Sequence, residues 1–208
     1  MNIAIIGMGN IGSGLAHVLA NTSNTVLVAD RENVKSAAVV QAEGNRVKSA
    51  EIAEAVREAD IVVLATPYNA SVEIASGVNF TGKIIVDVSN PVTEDFSALQ
   101  VGHSSSAAEA IAAAAPSATV VKAFNTIFAQ HYASGLKIGD RILQTYVASD
   151  DEGARNKVMA IAEAIGLEAR DAGALSNARY LEPLGYMNIQ FGYMLGQGTT
   201  IAPYWLAA

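Results

Sequence analysis

The chain has 208 residues, of which 51% are apolar and 16% charged; 13 Lys and Arg against 20 Asp and Glu give a formal charge of -7, and there is no cysteine. This composition supports a packed core in one domain, or one domain with a short appendage, and excludes disorder and collagen-like repeats. Without cysteine there is no disulfide, thiolate nucleophile, iron–sulfur cluster or Cys-ligated zinc, and an acidic chain with no basic run has no electrostatic footprint for nucleic acid or anionic lipid.

The first residues, Asn2–Ile6, already read as a strand, with no basic leader or cleavage site ahead of them, and no uninterrupted apolar run of membrane-spanning length follows. The expectation is a cytoplasmic protein without a membrane part. Short β-branched runs then alternate with alanine-rich amphipathic stretches, the pattern of βαβ units. Strands are expected at Asn2–Ile6, Thr25–Ala29, Ile61–Ala65, Lys83–Val88, Ala118–Ala123 and Ile142–Ala148, with a late one near Leu167–Arg170. Helices are expected at Asn10–Ala20, Glu32–Ala42, Ala50–Ala59, Asn69–Gly77, Ser106–Ala115, Asp150–Ile165 and from about Leu175 to Leu195. Ser106 with Glu109, and Ser149 with Glu152, have the spacing of capping boxes at two helix starts. The predicted class is α/β: a Rossmann-type, doubly wound, mainly parallel sheet with helices on both faces and a small C-terminal helical segment. The dinucleotide-binding part is expected over residues 1–170, and the segment 171–208 is expected to complete an acceptor pocket and form a homodimer contact, because Tyr, Met and Gly accumulate there.

Gly7-Met8-Gly9-Asn10-Ile11-Gly12 lies between the first strand and the first helix, and Asp30 closes the second strand 18 positions after Gly12. In that context the motif is a dinucleotide fingerprint: Gly7 makes the turn, Gly9 admits the pyrophosphate and Gly12 lets helix and strand pack closely. Free N–H groups at the helix start near Asn10 suit phosphate. A carboxylate at Asp30 favours the ribose hydroxyls of NAD, whereas Arg31 and Lys35 suit the 2′-phosphate of NADP, so both stay open with a lean to NAD. Three further strand ends carry small or polar residues, Thr66-Pro67, Ser89-Asn90-Pro91 and Asn125-Thr126, and a ligand pocket is expected there. No metal site is expected.

Absences narrow the chemistry. None of the seven tyrosines has a lysine four residues on, which excludes the Tyr-Lys pair of short-chain dehydrogenases. No general acid or base is evident, so no catalytic residue is assigned. Hydride passage between two flat rings is the simplest reaction left, because it is mainly an orientation task.

GMGNIGSGLA at Gly7–Ala16, VVLATP at Val62–Pro67, KIIVDVSNP at Lys83–Pro91, VVKAFNTI at Val120–Ile127 and DAGALSNARYLEPL at Asp171–Leu184 resemble the coenzyme F420-dependent NADP oxidoreductase family along nearly the whole chain. The resemblance implies a Rossmann-type domain with the nucleotide on the glycine loop, and nicotinamide and deazaflavin stacked near Asn90, Pro91 and Asn125. Membrane ferric reductases share the AFNT block in a domain that moves hydride from NADPH to a flavin. Asp30 and Asn125 depart from the family's pattern, which leaves NADP and F420 themselves open. The reading is an oxidoreductase that transfers hydride between NAD(P)H and F420 or a flavin; the alternatives are a nicotinamide-binding sensor without turnover, or a small imine or carbonyl reductase using Tyr186, Tyr193 or His131 as proton donor.

Overall fold

The computed structural model describes residues 1–206. Six strands, β1 (Asn2–Ile6), β2 (Thr25–Ala29), β3 (Val47–Ser49), β4 (Ile61–Leu64), β5 (Ile84–Asp87) and β6 (Thr119–Lys122), form one parallel sheet in the order β3-β2-β1-β4-β5-β6. The order reverses between β1 and β4, and ligands of such sheets bind beyond the strand carboxyl ends at that point. The register makes those ends level. Ile6 pairs with Ala29 on one side and Leu64 on the other, and Leu64 pairs with Asp87, which pairs with Lys122.

The strands are apolar on both faces because both are covered. Ile3, Ile5, Val26, Val28, Val63 and Val86 pack toward α1 (Asn10–Leu19) and α7 (Glu152–Ala164), with α2 (Val34–Glu43) and the single turn α6 (Gln130–Ala133) at the margins. Ala4, Ile6, Leu27, Val62, Leu64 and Ile85 pack toward α3 (Ile52–Glu58), α4 (Tyr68–Gly77) and α5 (Ala107–Ala114). Each fully buried Val, Leu or Ile stabilises the fold by about 1.5–3 kcal/mol.

Beyond β6 the sheet gains a small parallel pair, β9 (Gln144–Val147) and β10 (Glu168–Asp171). Lys122 and Ala148 join it to β6 antiparallel, exchanging both backbone bonds at 2.8 and 3.0 Å. A two-residue-stranded hairpin, β7 (Lys137–Ile138) with β8 (Arg141–Ile142), precedes it, so the strand expected over Ile142–Ala148 is split. The last expected helix is also divided, into a short turn at Leu175–Asn177, α8 (Ala178–Ile189) and a π-helical turn at Gln190–Met194. The tail then crosses back to β9, where buried Gln144 plays the part of a neighbouring strand: its amide donates to the Trp205 carbonyl and accepts from the Trp205 N–H at 3.0 and 2.7 Å.

One of the two expected caps is corrected. Ser106 does accept from the Glu109 N–H at the start of α5. At α7 the cap is Asp151, which accepts from the Ala154 N–H at 2.7 Å. Ser149 is drawn into the sheet instead, where its hydroxyl donates to the Val120 carbonyl at 2.8 Å.

Candidate functional site

The turn after β1 is made of glycines with three different physical reasons. Gly7 sits at φ +99°, a left-handed conformation, and a side chain there would strike the Ala65 carbonyl at 2.6 Å. At Gly12 a Cβ would lie 1.9 Å from the Gly7 carbonyl, so α1 and the turn touch only because it is absent. Gly9 is the opposite case. A Cβ added there meets no protein atom within 4 Å, and its φ of -77° is open to any residue. The fold makes no demand for glycine at that position, but a ligand lying across the backbone would. Gly9 also caps α1, whose first intrahelical acceptor takes the Ser13 N–H, leaving the Asn10, Ile11 and Gly12 amides at the helix start for an incoming anion. These residues fit a dinucleotide pyrophosphate.

Asp30 ends β2 beside this turn, but its carboxylate is already engaged: it accepts from the Ser36 N–H at 3.0 Å and the Lys35 N–H at 3.3 Å. Burial raises its pKa, and the hydrogen bonds from Ser36 and Lys35 outweigh this and hold the group below the usual carboxylate range. The carboxylate therefore organises the start of α2. Arg31 and Lys35 are exposed next to it. Arg31 has only a loose partner, Glu73 at 3.7 Å, with both side chains more than three-quarters exposed, and solvent makes such a pair easy to give up.

A cleft of about 590 Å³ opens at the strand ends, running from Asn10 and Ile11 past Thr66 and Pro67, Ser89 and Asn90, and Asn125 to α8 and the π-turn. It thus collects seven of the expected site positions from four separate loops. Met8 and Pro91 are expected residues that it does not collect, since both side chains are buried behind the wall. Asn90 and Asn125 are spent on each other. The Asn125 amide donates to Asn90 Oδ1 at 2.9 Å and to the Leu181 carbonyl at 2.8 Å, while the Asn90 amide donates to the Asn125 carbonyl at 2.8 Å. Gly185 of α8 rides directly on this amide clamp, and a Cβ there would lie 2.4 Å from Asn90 Oδ1. The clamp fixes α8, and α8 with its π-turn presents Asn188, Ile189, Tyr193 and Met194 to the cleft. Tyr193 is further held edge-on to Phe128, with ring centroids 5.5 Å apart.

Beneath the Ser89–Asn90 loop lies a cluster that the sequence reading missed. Lys122 Nζ, wholly buried, donates to Asp87 Oδ2 at 2.7 Å, to Glu182 Oε1 at 2.9 Å and to the Ser89 carbonyl. Glu182 also accepts the Ala107 and Ala108 N–H groups, the free amides at the start of α5. Burial pushes the Glu182 carboxyl up, against the pull of Lys122. The cluster ties together β5, β6, α5 and α8. Its signal in the sequence was Asp87 and Lys122, each a charge interrupting an apolar strand run.

The proposed proton donors separate. Tyr193 reaches the cleft, Tyr186 donates to the Phe96 carbonyl at 3.1 Å, and His131 is buried in α6 away from the lining. No group of three or more metal-ligating side chains is found among the described residues, and none of their helices is long and apolar enough to cross a membrane.

Comparison with known proteins gives consistent matches. The family model for coenzyme F420-dependent NADP oxidoreductases matches residues 2–91. The F420-dependent NADP reductase of Methanothermobacter marburgensis is 32% identical over 202 residues, covering 88% of this chain and 89% of its own. The Metalloreductase STEAP3 of Rattus norvegicus is 30% identical over 182 residues; the match takes in 88% of this chain but only 36% of that much longer protein. Among solved structures, a candidate F420-dependent NADP reductase from Arthrobacter sp. FB24 superposes over the full length of both chains with a TM-score of 0.83 and 26% identity. An imine reductase from Pseudomonas sp., at 21% identity and a TM-score of 0.70, shares the fold over 93% of this chain and 62% of its own.

Proposed function

The chain belongs to the coenzyme F420-dependent NADP oxidoreductase family, and from that premise we propose that it passes hydride between a nicotinamide dinucleotide on the Gly7–Gly12 turn and a flat deazaflavin or flavin ring at the α8 end of the cleft. The observation that carries this reading is the continuity of the cleft: one trough leads from Asn10 and Ile11 at the start of α1, next to the open space at Gly9, to the α8 wall, across the switch point of the sheet. When bound, the dinucleotide supplies the hydride. The residues of the chain supply position. Apart from the exposed Tyr193 phenol, no titratable side chain lines the cleft, so catalysis rests on holding two rings in contact and keeping water away with Ile11, Val88, Phe124 and Ile189.

Asp30 bears on the choice of dinucleotide. The family's cofactor is NADP, and a carboxylate at the ribose position favours NADH over what a neutral residue would allow. Arg31, with its easily surrendered partner, is the group placed to hold a 2′-phosphate.

The reading is tested by following loss of the reduced-nicotinamide absorbance when the protein is mixed with NADPH or NADH and, in turn, F420, FMN and riboflavin. Turnover with any of these supports it; dinucleotide binding without hydride transfer to any ring refutes it. A second reading, reduction of a small imine or carbonyl compound, draws on Tyr193 as the one proposed donor in the cleft. Loss of such an activity in Tyr193→Phe, with flavin reduction kept, would favour it.

A further inference from the structure

The acceptor end of the cleft is built from three stretches of chain: Val88–Leu99, Phe124–Gln130 and Gly185–Leu206. In these 41 positions there is no lysine or arginine, and the only charged residues are Glu94 and Asp95. Lys122, in the cluster beneath the Ser89–Asn90 loop, is buried with its three hydrogen bonds made to Asp87, Glu182 and Ser89. Two longer helices start on the cleft, α1 at Asn10 and α4 behind Pro67, and neither start belongs to these three stretches.

Neither carboxylate lines the cleft itself; both are exposed on the turn whose next residue, Phe96, lines its mouth. Residues 93–97 fold into a tight turn in which the Phe96 N–H donates to the Thr93 carbonyl at 2.9 Å, Thr93 and Ser97 hydroxyls both reach Asp95, and Val92 bridges to Leu99. The Thr93 and Ser97 hydrogen bonds keep the Asp95 carboxyl at about 2, so it is ionised at neutral pH. The turn cannot swing away freely, because the Phe96 carbonyl accepts from Tyr186 at 3.1 Å and from Gln190 at 2.9 Å, both on the helical segment that forms the opposite wall. The Phe96 side chain itself lines the cleft.

Phosphate and carboxylate groups are recognised by Arg, Lys or free helix-start amides, and like charges brought together weigh against binding. Resting on the hydride-transfer reading above, we infer that the acceptor of this cleft is an uncharged planar ring, and that acceptors carrying a phosphate or carboxylate tail are selected against at its mouth by Glu94 and Asp95. The step balances without a further partner: NADPH gives up a hydride and leaves as NADP⁺, and the ring takes the hydride and one proton from water.

Riboflavin and FMN share one ring and differ by a phosphate, so they are the test pair, with F420 as a second anionic acceptor. The expected result is a kcat/KM for riboflavin at least about tenfold above FMN and F420 at low salt, a gap that narrows as ionic strength rises and in a Glu94→Gln, Asp95→Asn variant, which keeps the Asp95 acceptor oxygen and hence the turn. FMN or F420 used as well as riboflavin overturns the inference while leaving hydride transfer intact. A gap that neither salt nor the variant alters overturns the role given to the two carboxylates. Hydride transfer to none of the three removes the reading on which the inference rests.

Discussion

The Lys122 ammonium and the Glu182 carboxylate meet 2.9 Å apart with both side chains out of water, which joins the last strand of the parallel sheet to the helix that walls the cleft. Because Asp87 lies 2.7 Å from the same ammonium, two carboxylates share one cation. Removing the cation leaves both uncompensated in the interior. Lys122→Met is expected to cost about 3–5 kcal/mol of stability. Glu182→Gln is expected to cost less, about 1–3 kcal/mol, since Lys122, Ala107 and Ala108 are all donors and the glutamine N–H₂ faces one of them however it turns. Urea unfolding of the two variants checks both the size and the order.

The pH dependence follows from two carboxylates with opposite shifts. Glu182 is raised by burial, so the folded chain holds this proton more tightly than the unfolded chain, and its contribution to stability falls as pH rises from 4.5 through the raised value. Glu109 is lowered, first by the hydrogen bond from Arg179 at 2.9 Å, so its contribution is present above 4.5 and is lost as pH falls through the lowered value. Partial exposure of the Arg179–Glu109 pair keeps that contribution small. Stability measured against pH should show a shallower acid-side decline in Glu109→Gln, the rest staying with Asp30, Asp95 and Asp171, and in Glu182→Gln should lose that residue's decline above 4.5.

Gly9 and Gly12 separate binding from folding. Gly9→Val places its side chain in open space and should cost the fold no more than about 1 kcal/mol while abolishing measurable dinucleotide binding. Gly12→Ala, which forces a Cβ against the Gly7 carbonyl, should destabilise the protein outright. Thermal melts beside a fluorescence titration with NADPH distinguish them. Normal NADPH affinity in Gly9→Val would displace the nucleotide from this turn.

These contrasts also mark what was legible in the sequence. Apolar runs such as Val62–Leu64 and the glycine turn after Ile6 carry their meaning locally, and each became the expected element in the expected place. The edge strand β3 escaped notice because only Val47 of its three residues is buried, and a single inward residue makes no alternation. Ser149 and Asp151 both had cap chemistry, and only the Val120 carbonyl, 29 positions away, decides between them. The Asp87–Lys122–Glu182 cluster joins residues 35 and 60 positions apart, a pairing no local pattern encodes. Asn90 and Asn125 stood out for the cleft, yet their bonds to each other are a tertiary fact.

The proposed part of Asp30 in cofactor preference is tested by substitution. Asp30→Ser removes a negative charge from beside the 2′ position and keeps a hydroxyl for the ribose. The variant is expected to shift the ratio of kcat/KM values at least about tenfold toward NADPH, the size of one charge contact. An unchanged ratio would mean that the carboxylate serves only the Lys35 and Ser36 amides.

Gly185 tests the wall. Gly185→Ala drives a Cβ into the Asn90–Asn125 clamp, so α8 must move away from the strand ends. Dinucleotide affinity, set at the far end of the cleft, should stay within about threefold of the parent, whereas kcat should fall by about tenfold or more because the rings are no longer held in register. Equal losses in both would place the nicotinamide itself against α8.

Hydride transfer itself is read most directly by mixing the protein with NADPH and riboflavin in a stopped-flow instrument, using NADPH deuterated at one or the other face of C4. The structure predicts loss of the reduced-nicotinamide absorbance, slowed by deuterium on one face only, because a cleft walled by α8 on one side and the glycine turn at its end offers the acceptor a single approach. Tight NADPH binding with no absorbance loss, for riboflavin and for F420 alike, would contradict hydride transfer between flat rings as the function of this cleft.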